Sequence, residues 1–230
     1  MSAGSAKWFS NCFKFSNSTM NRHDSDLENV YHEKQIKELC ALHALNNLFQ
    51  DAKFTKVELD SICLSLAPDV WINPHRSVLG IGNYDVNVIM AALNKHGYEA
   101  IWFDKRKNAN CLNLEAIEGF ILNVPTPCQL GIIRLPLKIK HWIAVRKIKR
   151  NYYNLDSKLD HPKLIGQEAD LVKYFQEELD SKEKEMFIVV SRENATNQRW
   201  FTGSADASKT NQESSSASSL SVTLKNEETR

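Results

Sequence analysis

An α+β fold, with a helical lobe followed by an antiparallel sheet, is predicted by three features of this 230-residue sequence. Apolar residues recur every three or four positions between residues 40 and 96, the period of a half-buried helix. From residue 98 onward, short segments rich in aromatic and β-branched residues alternate with turns, as strands do. The two ends, residues 1–27 and 194–230, are rich in Ser and Asn, lack either period and carry a Ser214-Ser215-Ser216 run. Such composition buries too little apolar surface to order itself, so a flexible leader, a folded domain over 28–193 and a disordered tail are expected.

Within the domain, Leu42, Leu45 and Leu48/Phe49 mark one face of a helix, with Cys40 at or near its start. Thr55 and Glu58 form a capping-box pattern for a second helix through Leu66, which Pro68 terminates. Residues 67–84 carry Pro68, Pro74, Gly80 and Gly82 and read as a long loop. Asp85 caps a third helix, Val86 to His96, and Gly97 closes it. Strands are then expected at Tyr98–Phe103, Phe120–Val124, His141–Ile148, Tyr152–Leu155 and Met186–Val190. Ile132 to Leu137 is apolar, but Pro136 confines its end to an edge. Lys149-Arg150-Asn151 reads as the turn of a hairpin, Leu114–Glu118 as a short helix and Glu168–Leu179 as an amphipathic one.

Composition excludes several function classes. A formal net charge of +1 lacks the basic excess of a dedicated nucleic-acid binder. No apolar stretch approaches the roughly 20 residues of a membrane span, and Met1 to Leu27 holds no continuous apolar core of a secretory signal. A cytoplasmic location follows by default. The cysteines Cys12, Cys40, Cys63, Cys111 and Cys128 are odd in number and include no Cys-x-x-Cys pair, which argues for reduced thiols and against a structural zinc site. Cys63 lies in an apolar helical run and reads as core. Cys40-x-x-His43 is a metal signal without a second pair.

Chemistry concentrates at Cys40. A helix N-terminus favours a thiolate through its free N–H groups and dipole. Gln35, five residues upstream, has a side-chain N–H suited to an oxyanion. A cysteine nucleophile needs a base. His141, at the start of an apolar strand, is the best candidate, and His43, one helical turn after Cys40, competes with it. The hairpin turn brings Asn154 and Asp156 beside the His141 strand, and either can orient the imidazole, although only Asp156 adds a charge.

The blocks Tyr31-His32-Glu33-Lys34-Gln35, Leu39-Cys40-Ala41-Leu42-His43-Ala44-Leu45-Asn46-Asn47-Leu48-Phe49-Gln50, Gly82-Asn83-Tyr84-Asp85-Val86-Asn87-Val88-Ile89, His141-Trp142 with Val145-Arg146-Lys147, and Tyr153-Asn154-Leu155-Asp156-Ser157 together resemble a Josephin domain of the short type. The similarity runs from about residue 30 to 191. It implies a papain-like cysteine protease fold and a deubiquitinase that hydrolyses bonds at the C-terminal glycine of ubiquitin. It implies Cys40 as nucleophile, His141 as general base, Asp156 as the orienting third member and Gln35 as the oxyanion donor. The ataxin members of the family carry Asn in the third position, and the short Josephins carry Asp. No metal or cofactor is implied. The expected partners are ubiquitin and its conjugates, and the expected state is a monomer. Two alternative readings stand beside it. A general papain-type peptidase lacks support because its Cys-Gly-Ser-Cys-Trp-like block is absent. A weakly active or inactive ubiquitin-binding module of the same fold is the other.

Overall fold

Alternation of buried side chains along three central strands organises the molecule. The computed structural model describes residues 30–36, 38–77, 82–130 and 133–203, with the backbone alone for 127–130 and 133–139. The expected leader at 1–27 lies outside the described residues, as does the tail beyond 203.

Three helices come first: α1 (Cys40–Phe49), α2 (Lys56–Leu66) and α3 (Val86–Lys95). Thr55 caps α2 by accepting from the Glu58 N–H at 3.2 Å. Asp85 caps α3 by accepting from the N–H groups of Asn87 and Val88. Both caps satisfy orphan amides of a first turn, as their residue types predict. Gly97, at φ +83°, takes the chain out of α3 through a left-handed turn that a side chain would strain.

The sheet has six antiparallel strands in the order β1-β6-β2-β3-β4-β5. These are β1 (Tyr98–Trp102), β2 (Gly119–Leu130), β3 (Ile133–Ile148), β4 (Asn151–Asn154), β5 (Lys163–Gly166) and β6 (Glu185–Ser191). Helix α4 (Glu168–Leu179) precedes β6, and a short α5 (Arg192–Thr196) follows it. On one sheet face Ile121, Trp142, Ala144, Phe187 and Val189 pack with the apolar sides of α1, α2 and α3. On the other face Phe120, Leu122, Ile143, Val145, Met186 and Ile188 pack against Leu171 and Phe175 of α4. Burial of both faces explains why these strands read as continuous apolar runs instead of alternating ones. The architecture is the α+β, papain-like arrangement expected, with a helical lobe on the sheet.

Local differences have physical reasons. Ile132–Leu137 and His141–Ile148 were expected as separate segments, but residues 133–148 form one strand, because β2 runs on beside them as far as Leu130. A register shift between Pro127 and Cys128 skips Pro136 and Leu137, and this irregularity accommodates the proline. Leu114–Ala116 is a single 3-10 turn, too short to continue as a helix before β2. Strand β5, Lys163–Gly166, has no counterpart in the sequence pattern: it is a four-residue edge strand directly after Pro162, too short to show a period.

Past residue 193 the chain stays on the domain. Leu112 bridges Phe201, Asn113 N–H donates to the Trp200 carbonyl at 2.9 Å, and Trp200 packs against the α4-side core.

Candidate active site

Three segments far apart in sequence meet at the start of α1. Cys40 is the first residue of that helix and only 4% exposed. No side chain caps the helix there. The Cys40 thiol therefore stands at the positive end of the helix dipole.

His141 lies on β3 and is 3% exposed. Its Nε2 is 2.6 Å from Oδ1 of Asp156, just beyond the end of β4, and the Cys40 thiol lies near enough to act on the charge of its ring. With Nε2 committed to Asp156, Nδ1 is the ring nitrogen left for the thiol. Burial alone would lower the His141 pKa. The bond to Asp156, the nearby Cys40 thiol and the charges of both outweigh that effect and hold it above the ordinary imidazole value. Burial would likewise raise the Asp156 pKa, but the His141 bond, the Lys158 backbone N–H at 2.9 Å and the charges of both residues hold it below the ordinary carboxylate value. The ionised pair is thus favoured on both sides.

Asn154, the other candidate orienter, is directed elsewhere. Its amide nitrogen donates to the Tyr174 hydroxyl at 3.3 Å, and its oxygen accepts from the Asp156 N–H at 2.9 Å. It shapes the turn that presents Asp156 and does not touch His141. His43 is also committed. Nδ1 lies 2.6 Å from Glu33 Oε2, and Nε2 accepts from the Ile36 N–H at 3.3 Å. With both nitrogens engaged, it is a bracket for the chain ahead of Cys40 and not a base for it. The same engagement accounts for the histidine of the Cys40-x-x-His43 pair.

Gln35 lies on this bracketed strap, residues 31–36. Its backbone N–H donates to the Ser157 carbonyl at 2.7 Å, and His32 Nε2 contacts the Asp156 carbonyl at 3.0 Å. The strap is therefore stitched to the loop that carries Asp156. On the opposite side, Glu38 is held by the Asn83 N–H, which donates to its carbonyl at 2.7 Å. A Cβ on Gly82 would meet that carbonyl oxygen at 2.3 Å, so the close approach requires glycine.

One organiser escaped the sequence reading. Asn47, fully buried in α1, donates to the carbonyls of Glu33 at 3.2 Å and Leu155 at 3.1 Å, and its oxygen accepts from the Glu33 N–H at 2.6 Å. It joins the Gln35 strap and the Asp156 turn to the helix that begins with Cys40. Neighbouring Asn46 donates to Glu33 Oε1 at 3.0 Å and to the Phe54 carbonyl. The available signal was two adjacent amides inside an otherwise apolar helical run, where solvent cannot satisfy them.

The aromatic residues divide by position. Tyr84, Phe103 and Trp142 are core, whereas Trp71 and Trp102 are exposed.

Comparison with known proteins supplies the context for this geometry. The family model described as Josephin matches residues 35–190, a span that includes Gln35, Cys40, His141 and Asp156. A Josephin-like protein of Drosophila melanogaster is 49% identical over 178 residues, covering 75% of this chain and 80% of the fly protein. Josephin-2 of Mus musculus is 49% identical over 164 residues, covering 71% of this chain and 87% of the mouse protein. Ataxin-3 of Gallus gallus is 30% identical over 146 residues, covering 61% of this chain and 40% of the chicken protein.

Proposed function

The chain belongs to the Josephin family, and from that membership we propose that it is a thiol-dependent deubiquitinase that hydrolyses peptide and isopeptide bonds at the C-terminal glycine of ubiquitin. The observation that carries the reading is His141 held between Cys40 and Asp156, with Cys40 and His141 buried and Asp156 half-buried. A cysteine, an imidazole and a carboxylate in this order form an activated nucleophile with an oriented base.

In this scheme the Cys40 thiolate attacks the glycine carbonyl carbon, forming a C–S bond. The oxyanion is held by the Gln35 side chain and the Cys40 backbone N–H. Loss of one comparable donor costs about 2.7–4 kcal/mol elsewhere. The intermediate collapses with cleavage of the C–N bond, and the His141 imidazolium gives its proton to the departing lysine amine. Water then attacks the thioester and loses a proton to His141. The C–S bond breaks, ubiquitin leaves as a carboxylic acid that gives its remaining proton to solvent, and the thiolate–imidazolium pair is restored. Asp156 remains ionised throughout and holds the ring by Nε2. Neither a metal nor a cofactor takes part. The substrates are ubiquitin conjugates, and the acting unit is a monomer.

The test is turnover of ubiquitin with a C-terminal aminocoumarin, together with labelling by a ubiquitin C-terminal electrophile. The expected result is modification at Cys40 and loss of both signals in Cys40→Ala. Turnover that survives in Cys40→Ala overturns the assignment. Binding of ubiquitin without labelling of the wild-type chain instead supports a non-catalytic module of the same fold.

A further inference from the structure

Helix α4 carries Tyr174 three residues after Leu171 and directly before Phe175, both buried against the sheet. Positions three apart are neighbours on a helix surface, and the half-buried Tyr174 ring packs on the same core as Leu171. On β4, Asn154 stands opposite Val145 of β3, whose side chain belongs to that core. Directly paired residues project to one face of a sheet, so Asn154 faces α4. His141, four residues before Val145 on β3, projects to that face as well. Asn154 is thus a carboxamide on an otherwise apolar face, where its polar atoms need partners within the protein.

Both ends of the carboxamide are engaged, and the partners fix which way it faces. The Asp156 N–H can only donate, so the atom 2.9 Å from it is the Asn154 oxygen. The amide nitrogen is then the end that meets the Tyr174 hydroxyl at 3.3 Å, and the hydroxyl oxygen accepts. Asp156 in turn sets Oδ1 2.6 Å from His141 Nε2, and the Lys158 N–H donates to the same oxygen at 2.9 Å. One line of bonds therefore runs from Tyr174 through Asn154 and Asp156 to the candidate base. The Asp156 charge also reaches Tyr174. Burial first, then the charges of Glu178 and Asp156, push its phenol well above the ordinary range, so the hydroxyl stays neutral.

Without the Tyr174 oxygen, the Asn154 N–H groups on this face lose their acceptor. The side chain then gains by leaving its turn for another acceptor. The Asp156 N–H loses its partner as a result, and the carboxylate loses its fixed bearing on His141.

Resting on the function proposed above, we infer that Tyr174 is a positioning residue for the reaction: it holds Asn154 in the turn that aims Asp156 at His141. Helix α4, which carries none of the catalytic candidates, thereby sets the orientation of the base.

The experiment compares the full-length wild-type chain with Tyr174→Phe, Asn154→Ala and the double variant. Tyr174→Phe keeps the packed ring and removes only the acceptor, and Tyr174→Leu repeats the comparison should it fail to fold. The readouts are kcat and KM on ubiquitin–aminocoumarin across pH, an NMR titration of His141, and urea unfolding. In Tyr174→Phe, kcat should fall about fivefold, the size of one neutral hydrogen bond, with KM unchanged. The His141 pKa should fall and the alkaline limb of kcat/KM should move to lower pH, which a loss of folded protein alone does not produce. In the Asn154→Ala background, Tyr174→Phe should add nothing further. Wild-type kcat and a wild-type His141 titration in the folded variant overturn the inference. They would mean that water from the cavity of about 260 Å³ lined by Asn154 and Tyr174 replaces the hydroxyl. Effects of the two substitutions that multiply also overturn it, because Tyr174 would then act by a route other than Asn154. Absence of turnover in the wild-type chain sinks the proposed function, and the His141 titration, which needs no substrate, still decides whether Tyr174 positions the base.

Discussion

His141 sits between a carboxylate and a thiol, and its charge state governs both stability and the proposed reaction. Its folded pKa is raised, so the stability it contributes is fully present below the ordinary imidazole value and is lost as pH climbs through the raised one. The Asp156 pKa is lowered, so its contribution is present above the ordinary carboxylate value and is lost as pH falls through the lowered one. Both contributions are complete between the two ordinary values, about 3.9 and 6.5. Asp156→Asn keeps an oxygen for the Nε2 hydrogen but removes the charge that favours the imidazolium. The His141 pKa should fall, and the alkaline limb of kcat/KM should move to lower pH, because the imidazolium is the acid that protonates the departing amine. Activity should persist, since orientation is kept. An NMR titration of His141 beside the pH–rate profile checks the sign, and an unmoved alkaline limb would show that Asp156 acts by orientation alone.

At the scale of elements, the site is an agreement among α1, the strap at 31–36 and the turn after β4, and Asn47 is where the three meet. Asn47→Ala leaves the half-buried Glu33 N–H and the buried Leu155 carbonyl without this partner. At about 1–3 kcal/mol for each buried group left unpaired, a loss of roughly 2–4 kcal/mol is expected by urea unfolding. Turnover should fall by more than the unfolded fraction explains, because Gln35 and Asp156 lose their common anchor. Such couplings were not legible in the sequence. Helix α1 was, since Leu42, Leu45 and Leu48 state its period, and so were the Thr55 and Asp85 caps, since a cap is a local bond between near neighbours. Asn154 and Asp156 could not be separated by strand geometry, because the decision rests on Tyr174 in α4, which occupies Asn154 from twenty positions away. His43 was ambiguous for the same reason until Glu33 and Ile36 were seen to engage both of its nitrogens.

For the whole molecule, the question is where the folding unit ends. Composition changes at about residue 194 and predicts a domain boundary there. Yet Asn194 donates to the Ala116 carbonyl at 2.9 Å, Trp200 packs on the α4-side core, and Thr202 N–H donates to the Cys111 carbonyl at 2.9 Å. Ser and Asn are frequent across 194–230, so one tryptophan hardly alters its average, whereas a single half-buried indole can hold the ten residues 194–203 in place. We therefore propose that the folding unit extends to Gly203. Its removal from residue 194 would uncover the apolar groups under Trp200 and orphan several carbonyls, at a cost of about 2–3 kcal/mol. For a domain of this size that corresponds to about 5–10 °C in Tm. A chain ending at Glu193 should melt lower than one ending at Gly203 by this margin in differential scanning calorimetry. Because α5 packs against β1 and β6, two or more places in the sheet order from the β3 that carries His141, kcat/KM at 20 °C should be the same for both. Equal melting temperatures would return the boundary to 193, and a difference in kcat/KM without one in Tm would mean that the Trp200 turn acts on the site itself.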